Sequence, residues 1–549
     1  MTTVTSSGES RPSARTTAQS ALLRNPVLAG FEPDPCAVRV GDDYYLVTST
    51  FEWYPGVRIH HSRDLLHWRC LGGALDSKRL LDLRGVPDSG GIWAPGLSYV
   101  DGLFHLVFTV VDTFGEGWKD VTNHLTTAPN AEGPWSDPVL LHSRGFDTSL
   151  FHDEDGSSWM LNMRFDWRPE HTSFAGVQLQ PFDRVLRRPT GEPRMIFTGT
   201  AVGVTEGPHL YRKDGWYYLV TAEGGTGYDH QTTVARSRSV AGPYETDPAG
   251  PMITARHDPS LALQKAGHCS LVETQDGTWY AAHIVARPYS ERGRCVLGRE
   301  TALQPVRWSE DGWPRIEGGI PAVEVPAPAL PPAPVPGVAE TDRFDGPRLG
   351  PDWSTLRRPA GPDWVRLSPG RLRISGGQSP GTRHAPSLVA RRVTDPYCSL
   401  ETEVTFEPFS LGHMAGLTAY YNTRNWHYLH LAVDDDGTRL VRLLSCEAGR
   451  TVLHPYRHPL PSDEAVGLRA EFAGPALRFS CRSGDGRFED VPVDIDATTV
   501  SDEAADEFVD GQMRTLGFTG AMLGLWVHDL DSDGVHADFS HATYRTGRS

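Results

Sequence analysis

The sequence predicts an all-β protein, a five-bladed β-propeller followed by a β-sandwich. Three observations predict it: one hairpin pattern recurs five times in the first 320 residues, a Pro/Ala-rich stretch follows, and short alternating runs without that period fill the rest. At 549 residues the chain is also too long for one ordinary core, so two folded regions are expected.

The repeat is carried by "PDPCAVRVGDDYYLVTS", "IWAPGLSYVDGLFHLVFT", "FDTSLFHDEDGSSWMLNM", "EGPHLYRKDGWYYLVTA" and "GHCSLVETQDGTWYAAHI". Each is an alternating strand, a turn with Asp and usually Gly, then an aromatic-rich strand, which is a hairpin signal because the turn needs the positive φ that glycine adopts cheaply. The turn aspartates Asp42, Asp101, Asp155, Asp214 and Asp276 are 59, 54, 59 and 62 residues apart. Weaker strand-like pieces such as "VRIHHSRDLLHWRC" complete four strands per interval, a blade-sized unit. A pair of sandwiches would share the short strands but not the five-fold period.

Residues 25–320 are therefore read as the propeller, and 1–24, rich in Ser, Thr and Arg, as a disordered segment. Residues 321–341, "PAVEVPAPALPPAPVPGVAET", suit neither helix nor ladder and are read as an extended linker. In 342–549 the runs "GLTAYYNT", "WHYLHLAV", "LRAEFA" and "LGLWVHDL" read as antiparallel strands of a sandwich.

The formal net charge is −17 and only four of the 52 basic residues are lysine, which argues against a nucleic-acid partner and against anionic membranes. No run approaches the ~20 apolar residues of a membrane span, and residues 1–20 hold no apolar signal-peptide core, so a cytoplasmic location is expected. Seven scattered cysteines, none in CxxC spacing, suggest free buried thiols and neither a disulfide framework nor a zinc site.

In a propeller the innermost strands surround a channel, and their starts face one another at its rim. The five hairpins start at Asp34, Trp93, Asp147, Glu206 and His268, so three blades offer a carboxyl at what reads as the same position. A single acid at a strand start is ordinarily a solvated turn residue. Three in register suit glycoside hydrolysis, which needs one carboxyl as acid and one as base or nucleophile. A third charge nearby can push their pKa values apart. Trp93 offers a flat face on which a sugar ring stacks. Pro33 and Pro35 flank Asp34, and proline favours extended backbone in the residue before it, so an aimed, extended Asp34 is expected.

Longer motifs carry a family resemblance. "NPVLAGFEPDP", "DDYYLVTSTFEWYPGVRIHHSRDLLHW", "DSGGIWAPGLSY", "GFDTSLFHDEDG", "TEGPHLYRKDGWYYLVTAEGGT", "GHCSLVET", "LGRETALQPV", "MAGLTAYYNTRNW" and "GFTGA" resemble glycoside hydrolase family 43, in particular its two-domain β-xylosidases. The resemblance runs from about residue 25 to the end. It implies a five-bladed propeller followed by a concanavalin- or jelly-roll-like sandwich, and an inverting exo-hydrolase that releases xylose from the non-reducing ends of xylooligosaccharides. By matching motif it makes Asp34 the general base, Glu206 the general acid and Asp147 the residue that raises the acid's pKa. It implies substrate contacts from Arg299, Trp93, Phe51, His268 and Phe518, the last reaching the pocket from the second domain. No cofactor is implied for the reaction, although in some members a histidine at the His268 position ligates a divalent cation, often calcium. Dimers or tetramers are common in the group. An α-L-arabinofuranosidase, alone or as a second activity, is the alternative within the class, and a non-catalytic sugar-binding propeller the alternative outside it. Glu32 stands where Asn is usual, and is expected to face solvent.

Overall fold

The structure is a computed structural model that describes residues 22–547 apart from 116, 462–463, 485 and 510–511. Most of the disordered segment expected at 1–24 lies outside the described residues.

Five antiparallel sheets form the propeller. Their first strands are Cys36–Val40, Gly91–Val100, Gly145–His152, Glu206–Lys213 and Gln264–Glu273. Each of these touches the first strand of the next sheet, and the fifth touches the first, so the ring is closed around them. The expected turns join first to second strands. Asp101–Gly102 and Asp214–Gly215 both have two consecutive positive φ values (53° and 76°, 50° and 73°), the geometry that lets a two-residue hairpin follow the strand twist. Closure uses chain from both sides of the repeat. Leu22–Arg24 pairs with Glu324–Pro326, so the ends of the segments expected to be disordered and linker-like form a two-stranded ladder instead. The apolar side chains Leu23 and Val325 explain it, since both are buried against the first and last blades.

Beyond the linker, two large sheets stack face to face, with the strands His413–Asn422, Asn425–Val433, Val466–Ala473 and Met522–Asp529 where the alternating runs predict them. Their facing side chains, among them Leu400, Leu417, Leu429, Leu468, Phe472 and Phe539, form the largest core of the molecule. All seven cysteines are free. Among the described residues no helix is long and apolar enough to cross a membrane.

The two regions share a sheet. Trp53–Tyr54, from the first blade, pairs with Ser354–Leu356 at the edge of a sandwich sheet. Next to this ladder the fully buried Arg357 donates from Nε to the Val86 carbonyl (3.0 Å) and from a terminal nitrogen to Asp88 (2.6 Å). Glu32 is part of the same junction and does not face solvent: it is 3 % exposed and pairs with Arg58 (2.8 Å), with Arg392 from the sandwich (3.3 Å) and with His60 (3.1 Å). Burial favours its neutral form, but Arg58, Arg392 and His60 together outweigh it and hold the carboxyl far below the usual range. The position was misread because the partners that make an acid tolerable there are 26, 28 and 360 residues away in sequence.

Removing one member of such a pair leaves a buried charge without compensation. Arg357→Ala is expected to lower unfolding stability by about 3–5 kcal/mol, measured as a drop in the denaturant midpoint, because Asp88 would lose its guanidinium.

Candidate active site

The five inner strands share one irregularity. In each, three steps of chain are opposed by two on the neighbouring strand: Trp93 to Gly96, Phe146 to Ser149, Glu206 to His209 and Gly267 to Ser270. In the first blade the Ser49 amide bonds the Pro33 carbonyl while Cys36 faces Val47, which gives the same count. These are β-bulges, which bend a strand and re-aim its side chains. The first bulged residues are Asp34, Ala94, Asp147, Gly207 and His268, and φ is 56°, 53°, 57° and 50° at Asp34, Asp147, Gly207 and His268. Two expectations change. Trp93 and Glu206 are not equivalent to Asp34, Asp147 and His268 but stand one residue earlier, at the last paired position. Asp34 is left-handed and not extended; the bulge common to all blades overrides the preference set by Pro35. A left-handed non-glycine residue costs of order 1–3 kcal/mol, so this fold concentrates strain at the channel.

The structure brings all eight candidate residues to one pocket, lined by Asp34, Phe51, Trp93, Asp147, Glu206, His268, Arg299 and Phe518 together with Ala94, Phe146 and Thr226. Arg299 donates to Asp34 Oδ1 (3.1 Å), and Ser49 Oγ donates to Asp34 Oδ2 (2.6 Å). Burial alone would raise the Asp34 pKa, but Arg299, His268 and the Ser49 bond outweigh it and hold this carboxyl below its usual value. The other two acids go the opposite way. Burial and then the Asp34 charge push Asp147 up to about 7, although the Gly207 amide donates to its Oδ2 (2.9 Å). Burial, then Asp147, then Asp34 push Glu206 well above the usual range. One carboxyl shifted down and two shifted up thus face a common space.

The wall is aromatic and belongs to both regions. Phe518 meets Phe51 (ring centroids 5.8 Å) and Trp93 (5.5 Å, edge to face), and its carbonyl accepts from Arg299 (3.2 Å). This docking relies on backbone touching backbone. Gly298 has φ +73°, and a Cβ there would fall 2.0 Å from the Thr519 carbonyl oxygen. Ser89 links the aromatic pair, its carbonyl accepting from Trp93 Nε1 (2.8 Å) and its hydroxyl from the Phe518 amide (3.1 Å).

Residues 23–314 match the model of glycosyl hydrolases family 43, and 341–545 match that of the beta-xylosidase C-terminal concanavalin A-like domain. The chain belongs to glycosyl hydrolase family 43. It is 42 % identical to xylosidase/arabinosidase 43B of Humicola insolens over 95 % of this chain and 97 % of that one. It is also 42 % identical to a putative beta-xylosidase of Escherichia coli K12, over 95 % and 99 %. The crystal structure of a xylan beta-1,4-xylosidase from Bacillus halodurans C-125 superposes with a TM-score of 0.92 at 46 % identity, covering 95 % of this chain and all of that one.

Within this family 43 pocket His268 sits under the carboxylates, its Nδ1 3.7 Å from Asp34 Oδ1. Burial lowers its pKa and Arg299 lowers it further, against the pull of Asp34. A calcium ion beside His268, a possibility raised by the resemblance, would need further ligands. Calcium takes six to eight oxygen ligands, whereas Asp34 is already held by Arg299. Among the described residues the metal-type group of three is His413, Asp531 and Asp533, in the sandwich.

Three participants escaped the sequence reading. Ser49 and Gly207 act on the carboxyls through a hydroxyl and a backbone amide, which no side-chain pattern announces; Gly207 could have been suspected from its place next to Glu206. Lys119 comes from a hairpin tip outside the repeat: its Nζ lies over Trp93 (5.8 Å), Phe114 (5.6 Å) and Phe165 (5.2 Å), and burial, opposed by Glu206, lowers its pKa to about 8.

Gly207 offers a direct test of the packing. A Cβ would lie 2.9 Å from the His268 ring in a left-handed conformation, so Gly207→Ala must move the imidazole or the Asp147 bond. Glycosidase kcat/KM is expected to fall about 100-fold with the far-ultraviolet circular dichroism unchanged.

Proposed function

We propose that this protein is an inverting, exo-acting β-D-xylosidase that releases xylose from the non-reducing ends of xylooligosaccharides. The observation that carries the reading is a pocket that gathers Asp34, Asp147 and Glu206, with the pKa of Asp34 shifted down and that of Glu206 up, behind an aromatic wall that includes Phe518 from the second domain. A wall on that side leaves room for the end of a chain and not for its middle. The xyloside assignment is supported by the relatives, beta-xylosidases prominent among them.

Asp34 is the general base. Held as the anion by Arg299 and Ser49, it takes a proton from a water as that water attacks the anomeric carbon. Glu206, the general acid, gives its proton to the glycosidic oxygen, which leaves with the rest of the chain. The attack comes from the face opposite the leaving oxygen, so a β-xyloside yields α-xylose. Asp147 is not consumed; its charge and its bond to the Gly207 amide keep Glu206 protonated and in place. Trp93, Phe51 and Phe518 receive the apolar faces of the sugar, while Arg299 and His268 are within reach of its hydroxyls.

Asp34→Ala and Glu206→Ala are each expected to cost about 10²–10⁴-fold in kcat on xylobiose. On an aryl xyloside with a good leaving group Glu206→Ala should recover partly and Asp34→Ala should not, because such a group leaves without a proton while the attacking water still needs its base. Proton NMR of the first product should show the α-anomer; initial β-xylose would overturn inversion.

The pH profile follows from the directions of the shifts. Activity appears as Asp34 ionises, which its lowered pKa moves to low pH, and disappears as Glu206 ionises, which its raised pKa moves to high pH. Arg299→Gln should move the acidic limb to higher pH, and Asp147→Asn the basic limb to lower pH. The Humicola relative is named a xylosidase/arabinosidase. A kcat/KM higher on an aryl α-L-arabinofuranoside than on an aryl β-D-xyloside would replace the xyloside assignment.

A further inference from the structure

The aromatic surface does not stop at the pocket. Trp118 and Trp167 stack on each other, ring centroids 4.9 Å apart and 15° from parallel, yet remain 60 % and 54 % exposed. They come from different blades. Strand direction puts both on the pocket face: the inner strand Gly91–Val100 runs away from the pocket, Leu103–Gly115 returns toward it, and Trp118 begins the next strand. In the third blade Ser158–Phe165 likewise returns toward the pocket and Trp167 follows it by two residues.

Residues beside both rings are held in place. Thr113 Oγ1 donates to Asp120 (2.7 Å) and accepts from the Asp120 amide (3.2 Å) across the first hairpin. Around Trp167, Arg168 Nε donates to Asp166 Oδ1 (2.9 Å), and the Asp166 amide bonds the Ser173 carbonyl (2.8 Å). The rings connect back to the site through their neighbours, since Lys119 and Phe165 meet each other (5.2 Å) and Lys119 lies over Trp93. Two exposed indoles in a fixed stack, continuous with a sugar pocket, form a platform of the kind on which sugar rings lie by their C–H faces.

Resting on the xylosidase reading, we propose that Trp118 and Trp167 form a distal binding platform for the leaving part of the substrate, contacting xylose units beyond the one next to the scissile bond. Neutral polymeric sugar fits the surface better than an ionic ligand, because the nearby charges of Asp166 and Arg168 are paired with each other. The platform makes the enzyme sensitive to chain length although only the terminal sugar enters the pocket.

The test is kcat/KM of the wild type, Trp118→Ala, Trp167→Ala and the double variant on an aryl xyloside and on the series from xylobiose to xylopentaose, with molecular mass by light scattering. The account expects wild-type values on the aryl xyloside and xylobiose, and a loss of roughly 3- to 10-fold per ring on the longer members, partly restored by Trp→Phe. An equal loss at every length, or none at any length, would overturn the platform while leaving the xylosidase reading intact. A fall in mass on substitution would reassign the pair to a contact between copies. Wild-type inactivity on every xyloside alongside activity on another glycoside would remove the underlying reading, and with it the platform.

Discussion

Three carboxyl groups are buried around a single guanidinium, and they cannot all be ionised in so dry a space. Arg299 decides which one is. It touches Asp34, so Asp34 takes the negative charge, and that charge in turn raises the pKa of Asp147, to about 7, and of Glu206. A single ion pair thereby sets apart the two carboxyl groups proposed as base and acid. The same arginine bonds the Phe518 carbonyl, which ties the electrostatics of the propeller to the seating of the sandwich.

The architecture makes this arrangement possible by repetition. A bulge at one place in each blade directs five side-chain positions toward one axis, and the chemistry differs only in what occupies them. Asp34, Asp147 and His268 fill bulge positions, Gly207 fills one with a bare amide that binds Asp147, and Glu206 reaches in from the position before. The second domain is then bound through buried charge at Arg357–Asp88 and Glu32–Arg392 and through the glycine contacts of the loops at 298 and 520. Such a junction suits a domain that supplies a pocket wall.

Much of this is legible in the chain. The turn aspartates mark the five blades, and the hairpin starts point to the channel that holds the proposed catalytic groups, because strand patterns and turn chemistry are local. What was not legible depends on contacts between distant segments. The one-residue offset of Glu206 and Trp93 follows from hydrogen-bond register, which a strand's own sequence does not record. Glu32 reads as a solvated acid until Arg392 arrives from the other domain. Asp34 reads as extended from its prolines, and only the demands of the shared bulge make it left-handed. Lys119 and the ladder formed by Leu22–Arg24 lie outside the repeat, so the repeat could not announce them.

The central claim is that Glu206 holds its proton while Asp34 does not. Difference infrared spectroscopy near neutral pH, comparing the wild type with Glu206→Gln and Asp34→Asn, reads this directly. The account predicts that the first substitution removes a protonated-carboxyl band and the second removes a carboxylate band. A Glu206 that is already ionised at that pH, with no protonated band to lose, would contradict it.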